Sequence, residues 1–353
     1  MRYTVFGESH GPAIGVVLQG VPPGLDMDMG FIASEMARRA PGASALTSPR
    51  SEKDAVRVLS GVFEGKTCGT PLCGIIENTD TRPRDYAGTR WLARPGHADF
   101  TAHVRCRGFE DYRGGGHFSG RLTAPMVFAG AVAKLALRGR GIEIFARIAS
   151  VAGIADAPAG LAAPDAGCLR RAQGSAFPVL DETQGGAMRQ AILKASAEGD
   201  SVGGSIQCFV LGIPAGLGGP DFDESVESLI ARHVFSIPAV KALGFGAGTD
   251  LASMRGSQAN DPFVPSMEGP ATSTNNNGGI NGGITNGMPV VFTVTVKPTP
   301  SIAREQDTVD MRSGQAARIS VSGRHDPCIV PRAVPVVEAA AALAISELPG
   351  VLA

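Results

Sequence analysis

The sequence predicts an α+β fold of mostly antiparallel sheets in preference to a doubly wound parallel one. Short alternating segments come in adjacent pairs, at 3–6 with 14–18 and at 56–63 with 72–76. Strands and helices follow in blocks, without the strict βαβ alternation of a parallel sheet. No repeat of fixed period is visible.

In chain order, the first two strands flank the loop GESHG at 7–11. Residues 28–39 read as a helix whose last turn carries Arg38 and Arg39 just ahead of Pro41. Residues 40–53 are small and polar with Arg50 as their only arginine, the signature of a mobile surface loop. The alternation at 56–63 predicts a strand covered on both sides. The stretch 94–134 organises the rest. It carries Arg94 and His97, then Gly114, Gly115 and Gly116, then Ser119, Gly120 and Arg121 at the mouth of a helix rich in small residues. Adjacent glycines let backbone N–H groups approach an anion, and a helix starting after Ser119 would aim its positive end at the same place. A glycine-rich turn before a core helix is the commoner meaning of such a segment, so both readings stay open here.

Ile142, Ile144, Ala146 and Ile148 mark the next strand, and 151–186 reads as a long connection with little chemistry. Helices are predicted at 188–198 and 225–234, strands at 206–210 and 290–296, and a closing alanine-rich helix at 334–348.

Length and composition narrow the function. At 353 residues the chain has room for a sizeable core, and 43% hydrophobic with 18% charged residues describes a soluble globular protein. A net charge of −1 argues against nucleic acid as a partner. Six cysteines without a CxxC pair read as reduced thiols, which favours the cytoplasm. Arg2 is followed by a strand-like YTVF, not an apolar leader, and the apolar runs are broken, as by Glu338, so neither a signal peptide nor a membrane span is expected.

Three clusters besides the central stretch carry possible chemistry: His10 in its glycine-flanked loop, the nearly side-chain-free run 272–287, and the turn at 322–328 with Arg324 beside Asp326. The run 272–287 reads as backbone wrapped around a ligand, because a strong strand follows it directly. His233, on an amphipathic helix, reads as structural, and His103 leans the same way. No phosphate-binding loop, dinucleotide fingerprint, metal-ligand spacing or nucleophile elbow is present. Histidines, arginines and an aspartate in glycine-rich loops suit an anionic ligand and proton transfer without a covalent nucleophile.

In this order, GESHG at 7–11, ENTDTRPRDY at 77–86, RPGHADF at 94–100, DYRGGG at 111–116, GINGGITNG at 279–287, KPTPS at 297–301 and GRHDPCIVPRAVPVVEA at 323–339 strongly resemble the chorismate synthase family, over nearly the whole chain. The resemblance implies one catalytic domain over 1–353 with a layered β-α-β sandwich. It implies a lyase that converts 5-enolpyruvylshikimate 3-phosphate to chorismate and phosphate, with reduced FMN and no net redox change, in a cytoplasmic homotetramer. By position it implies that His10 protonates the departing phosphate, that His97 protonates the reduced flavin, and that Asp326 relays a proton from it. Ser119, Ala239, Gly282, Lys297, Pro298, Thr299, Pro300, Ser301 and Arg324 match flavin contacts, with His117 and Phe118 in the same stretch. Arg39, Arg94 and Arg121 match arginines near the substrate, where fork geometry suits phosphate and carboxylates.

The chain departs from the family pattern in three places. Ala45 and Ser48 stand where many relatives carry arginines, which leaves Arg50 as the substitute clamp. His117-Phe118-Ser119-Gly120-Arg121 replaces the usual Arg-Ser-Ser-Ala-Arg, and Pro238 replaces an asparagine before Ala239. Two other readings stay open: a flavin oxidoreductase that consumes NADPH to reduce its own flavin, with Arg39 as a contact, and a non-catalytic flavin- or anion-binding protein. Without an added nucleotide-binding fingerprint, flavin reduction by an external reductase is the expectation.

Overall fold

The N-terminal alternation closes as a hairpin. Strand β1 (Arg2–Gly7) runs antiparallel to β2 (Ala13–Gln19), with Arg2 opposite Gln19 and Gly7 opposite Ile14. The protein is described from a computed structural model that covers residues 1–42, 46, 54–80, 86, 88–267, 269–321 and 325–352. Most of the loop read at 40–53 therefore lies outside the described residues.

Helix α1 (Met29–Arg39) starts where Asp28 accepts the Phe31 N–H at 2.9 Å, an N-cap that satisfies an otherwise orphaned donor. Strands β3 (Arg57–Ser60), β4 (Val62–Phe63), β5 (Lys66–Thr67) and β6 (Leu72–Glu77) follow, then α2 (Asp99–Cys106). Two 3₁₀ turns, Arg113–Phe118 and Gly120–Leu122, lead into α3 (Thr123–Arg138). Next come β7 (Glu143–Val151), β8 (Ile154–Ala155), α4 (Ala166–Gln173), α5 (Glu182–Ala197), β9 (Gly204–Leu211), α6 (Val226–Phe235), β10 (Val240–Phe245) and α7 (Gly256–Ala259). The chain ends with the hairpins β11 (Phe263–Ser266)–β12 (Gly269–Thr272) and β13 (Ile280–Asn281)–β14 (Ile284–Thr285), strand β15 (Val290–Val296), the pair β16 (Gln306–Val309)–β17 (Ala316–Ile319), and α8 (Val330–Glu347).

One sheet has the order β1-β2-β6-β3 and the other β10-β15-β9-β7-β8, and every pairing in both is antiparallel. Helix α3 touches β2 and β6 on one side and β7 on the other, while α8 packs on α3, β7 and β9. The helices thus fill the space between two sheets, a β-α-β stack whose α+β class agrees with the sequence reading. A second small core of Phe145, Leu169, Phe209 and Val291 brings α4 onto the five-stranded sheet.

The small residues of α3 have a packing purpose. A Cβ on Gly130 would lie 2.3 Å from the Cβ of Ala339 and 2.4 Å from its Cα, so α3 and α8 cross nearly backbone to backbone. By length and composition 120–138 could cross a membrane, but 83% of that window is buried within the fold, which makes it a core helix.

Four expectations are corrected. The strand at 56–63 is not covered on both sides: β3 is an edge strand, and Leu59 is 55% exposed. The connection at 151–186 contains α4 and the start of α5, each opened by an aspartate cap, Asp165 and Asp181, that the small-residue composition hid. Helix α8 begins at Val330, because Pro331 falls in its first turn, where no N–H is needed. The run 272–287 wraps protein. Asp261 accepts the N–H groups of Asn276 (2.7 Å) and Asn277 (2.9 Å), and the β13–β14 hairpin follows.

Candidate functional site

The ends of α1, α3 and α8 and the loops around them enclose a cavity of about 770 Å³. One wall is built of arginine. Arg39, in the last turn of α1, is 3% exposed. Its Nη1 meets Asp54 Oδ2 at 2.5 Å, Nε donates to Thr123 Oγ1 at 3.1 Å, and Nη2 donates to the Gly120 carbonyl at 3.2 Å. Arg121 donates to the other Asp54 oxygen and, through Nε, to Asn78 Oδ1 at 3.1 Å. Burial pulls the Arg39 guanidinium down to about 10 against the upward pull of Asp54. Burial would raise the Asp54 carboxyl, but Arg39 and Arg121 together hold it below its ordinary value.

Arg332, in the first turn of α8, joins this wall to the next. Its Nε donates to the Arg39 carbonyl at 3.0 Å, and its Nη1 pairs with Asp326 Oδ2 at 2.5 Å. Asp326, read from the sequence beside Arg324, is thus also the partner of Arg332. Arg324 and Arg50 both lie outside the described residues.

The second wall is the loop before α2. Asp99, the first residue of α2, accepts the Arg94 backbone N–H at 3.0 Å, Arg94 Nε and Nη2 each at 2.7 Å, and His97 Nδ1 at 2.8 Å. With Nδ1–H committed to Asp99, the 3.1 Å approach of Arg94 Nη2 to that nitrogen brings together two donors and is not a hydrogen bond. The imidazole is thereby oriented by a carboxylate, with Nε2 as its other functional atom. Burial would raise the Asp99 carboxyl, but hydrogen bonds from Arg94 and His97 hold it well below the usual carboxylate range. The Arg94 fork, expected near substrate, is taken up by Asp99, with Nη1 reaching Ser301 Oγ at 3.2 Å.

The glycine run serves the histidines. A Cβ on Gly114 would fall 2.3 Å from His10 Cε1, and one on Gly115 would fall 2.8 Å from His97 Cε1. Both glycines have positive φ, so side chains are barred by conformation as well as by space. His10 sits one layer behind the cavity surface. It is 6% exposed, its Nδ1 lies 3.0 Å from Ser9 Oγ, and its ring meets the edge of Tyr86 at 5.0 Å. Gly114 and Tyr86 line the cavity in front of it.

The third wall comes from 297–301 and the turn before β10. Lys297 donates through Nζ to the Gly96 carbonyl, and burial followed by the neighbouring Lys241 lowers its ammonium below the ordinary value. The Thr299 hydroxyl is buried with no hydrogen-bond partner among the described residues, although the Thr299 carbonyl accepts Ser201 Oγ at 2.7 Å. Pro300 and Ser301 also line the cavity, as do Ser119, which caps the turn into α3, and Ala239. Ala239 is held at φ 72°, where a non-glycine residue is strained. His117 and Phe118 lie between the cavity and an adjoining pocket of about 190 Å³, with His117 Nδ1 2.9 Å from the Gly7 carbonyl.

Two of the expected flavin contacts lie elsewhere. Gly282 is at the exposed tip of the β13–β14 hairpin, and neither it nor Pro298 lines the cavity. His103 pairs with Glu110 at 2.8 Å. His233 pairs with Glu347 at 2.9 Å and stacks on Tyr3, so both imidazoles are occupied by packing partners. Asp54, Asn78, Thr123 and Arg332 went unassigned in the sequence, although Asn78 and Arg332 lie inside the quoted motifs. Their positions in ENTD and VPRA were the available signal.

Among the described residues, the cavity-lining Arg39, Arg121 and Arg332 face two carboxylates, Asp326 in the lining and Asp54 buried behind it. That surplus of guanidinium, next to an oriented imidazole, suits an anion that must gain or lose protons.

The sequence profile of a family described as chorismate synthase matches residues 1–348. A chorismate synthase of Aeropyrum pernix is 46% identical over 348 residues, covering 98% of this chain and 90% of the relative. One from Chitinophaga pinensis is 45% identical over 346 residues, covering 98% and 93%. A solved structure titled "Crystal Structure of Chorismate Synthase" superposes with a TM-score of 0.78 at 29% identity, covering 98% of this chain and 90% of that one.

Proposed function

The chain belongs to the chorismate synthase family and is a lyase of the shikimate pathway, and we propose that all of residues 1–353 act as one catalytic domain working in the cavity described above. The reaction is the last step of the pathway that feeds aromatic amino acid biosynthesis. It is a 1,4-anti elimination in which 5-enolpyruvylshikimate 3-phosphate loses phosphate and a ring proton and becomes chorismate. The observation that carries the reading is the convergence of Arg39, Arg121, His97 and Asp326, from four separate segments, on one cavity of about 770 Å³.

Arg39 and Arg121 receive the substrate's phosphate and carboxylates, and Arg50 adds the clamp that Ala45 and Ser48 leave out. Arg94 acts at one remove, fixing Asp99 and through it His97. His10, behind Gly114, supplies the proton for the departing phosphate. His97, its Nδ1–H held by Asp99, would donate from Nε2 to the cofactor as the imidazolium and be left neutral, with Nδ1–H still on Asp99. Asp326, paired with Arg332, accepts a proton and passes it on.

Reduced FMN, when bound, lends electron density to the breaking C–O bond and recovers it, so no net oxidation results. The chain's residues fit such a group. The Thr299 hydroxyl, buried with no hydrogen-bond partner among the described residues, can bond to it, and Ala239, held at positive φ, lines the same wall. Lys297, Pro300, Ser301 and Ser119 complete the wall, His117 with Phe118 screens water beside it, and the family resemblance adds Arg324 as a flavin contact. Gly282 and Pro298 are left out of this set. The flavin is reduced by an external reductase and not by NADPH at this site, and the enzyme works as a cytoplasmic homotetramer.

Anaerobic turnover with chemically reduced FMN and no NADPH is the test, with equimolar chorismate and phosphate expected. Turnover that appears only when NADPH is added would assign flavin reduction to this chain. No phosphate release under either condition would overturn the lyase reading.

A further inference from the structure

The helices that shape the cavity carry a second set of charges that the reaction does not use. Glu35 and Arg38 come from α1, Lys134 from α3 and Glu338 from α8. The Glu338 side chain is fully buried. It accepts Arg38 Nη1 at 2.6 Å and Nη2 at 2.8 Å, Gln173 Nε2 at 3.1 Å, the Ala146 N–H at 2.9 Å, and Lys134 Nζ. Glu35, 4% exposed, accepts Arg38 Nη1 at 2.9 Å and Lys134 Nζ. Two carboxylates meet two cations, and the set is neutral.

Stability is a poor reason for such a set, because apolar residues of the same volume usually do as well or better in a buried position. Apolar packing is weakly directional, however, whereas a guanidinium fork on a carboxylate is strongly so. Successive helix residues point about 100° apart, so the direction of Arg38 sets the direction of Arg39. Arg38 grips α8 through Glu338, and the next residue presents its guanidinium to Asp54, Thr123 and Gly120 at the cavity. Arg332 on the Arg39 carbonyl ties the same end of α1 to the same helix.

We propose that Arg38 and Glu338, backed by Lys134 and Glu35, are positioning residues that lock the rotation of α1 and so aim Arg39 at the substrate. This rests on the reading of Arg39 as a substrate-binding residue. The test replaces the set with apolar residues of similar size, Glu35→Leu, Arg38→Met, Lys134→Met and Glu338→Leu together, in the full chain with reduced FMN. The expected result is a folded protein with unchanged FMN affinity and a substrate KM raised about tenfold or more. Arg39→Ala should then cost far less in that background than in the native one.

A native KM in the fourfold variant, with Arg39→Ala still costing its full amount there, overturns the proposal. If Arg39→Ala leaves KM unchanged in the native background, the substrate reading fails first and the proposal with it, so the two failures are told apart. Arg38→Lys keeps the charge and removes the fork, and it decides the matter should the fourfold variant not fold. A raised KM with native FMN affinity supports the lock, and a native KM sinks it.

Discussion

Two clusters of buried charge lie side by side on α1, α3 and α8, and they balance differently. The inner one sets Glu35 and Glu338 against Arg38 and Lys134, sealed between the layers. The outer one sets Arg39, Arg121 and Arg332 against Asp54 and Asp326, counted among the described residues, and opens on the cavity. A buried charge without a partner is too costly to keep, so the inner cluster closes on itself. A surplus of cations is tolerable only where an anion can reach it, and that is where the outer cluster stands.

The largest expected effect separates the chemistry of the outer region from its packing. His97→Ala and Asp326→Ala should each slow turnover by about 10²- to 10⁴-fold while circular dichroism and melting temperature stay close to native. Native-like rates in both variants would remove the proton roles.

Next come the carboxylates that hold each cluster together. Glu338→Ala and Asp54→Ala should each cost about 3–5 kcal/mol in urea unfolding, because each strands buried cations. The contrast appears on adding inorganic phosphate, which should restore part of the lost stability to Asp54→Ala and none to Glu338→Ala. Equal rescue, or rescue of neither, would mean that the two clusters do not differ in access.

A smaller effect tests the packing between the clusters without touching charge. Gly130→Ala should cost about 1–3 kcal/mol by forcing α3 and α8 apart at Ala339. A native melting temperature for that variant would show that the crossing is looser than the distances say.

The most gradual effect is acid lability. Asp54 and Asp99 have folded pKa values below the ordinary 3.8, and Glu338 lies below 4.5, in each case because paired cations and hydrogen bonds outweigh burial. A depressed carboxyl stabilises the fold fully above its unfolded value, and that contribution is lost as pH falls towards the folded one. Melting temperature should therefore be insensitive to these groups from pH 7 down to about 4.5 and fall below that. A melting temperature unchanged at pH 3 would contradict the pairing of both clusters.

The sequence by itself determined the parts of this protein that depend on near neighbours. Paired alternating segments announced antiparallel sheets, and the run at 28–39, ending in Arg38 and Arg39 just ahead of Pro41, announced α1. The ordered motifs from GESHG to GRHDPC named the family whose profile matches residues 1–348. The caps at Asp165 and Asp181 are local signals too, but the alanine and glycine around them mask the helices they open.

Only the tertiary structure decided which charge answers which. Arg38 and Glu338 are 300 positions apart, and Asp326 is paired with Arg332, six residues on in the chain. It also decided that the glycines at 114 and 115 make room for His10 and His97, and that Gly282 stands apart from the cavity as the described residues line it. The physical reason is one of range. Periodicity and caps act over a turn or two of backbone, whereas an ion pair depends on where two distant backbones are carried by the packing of layers, and no local pattern records that distance.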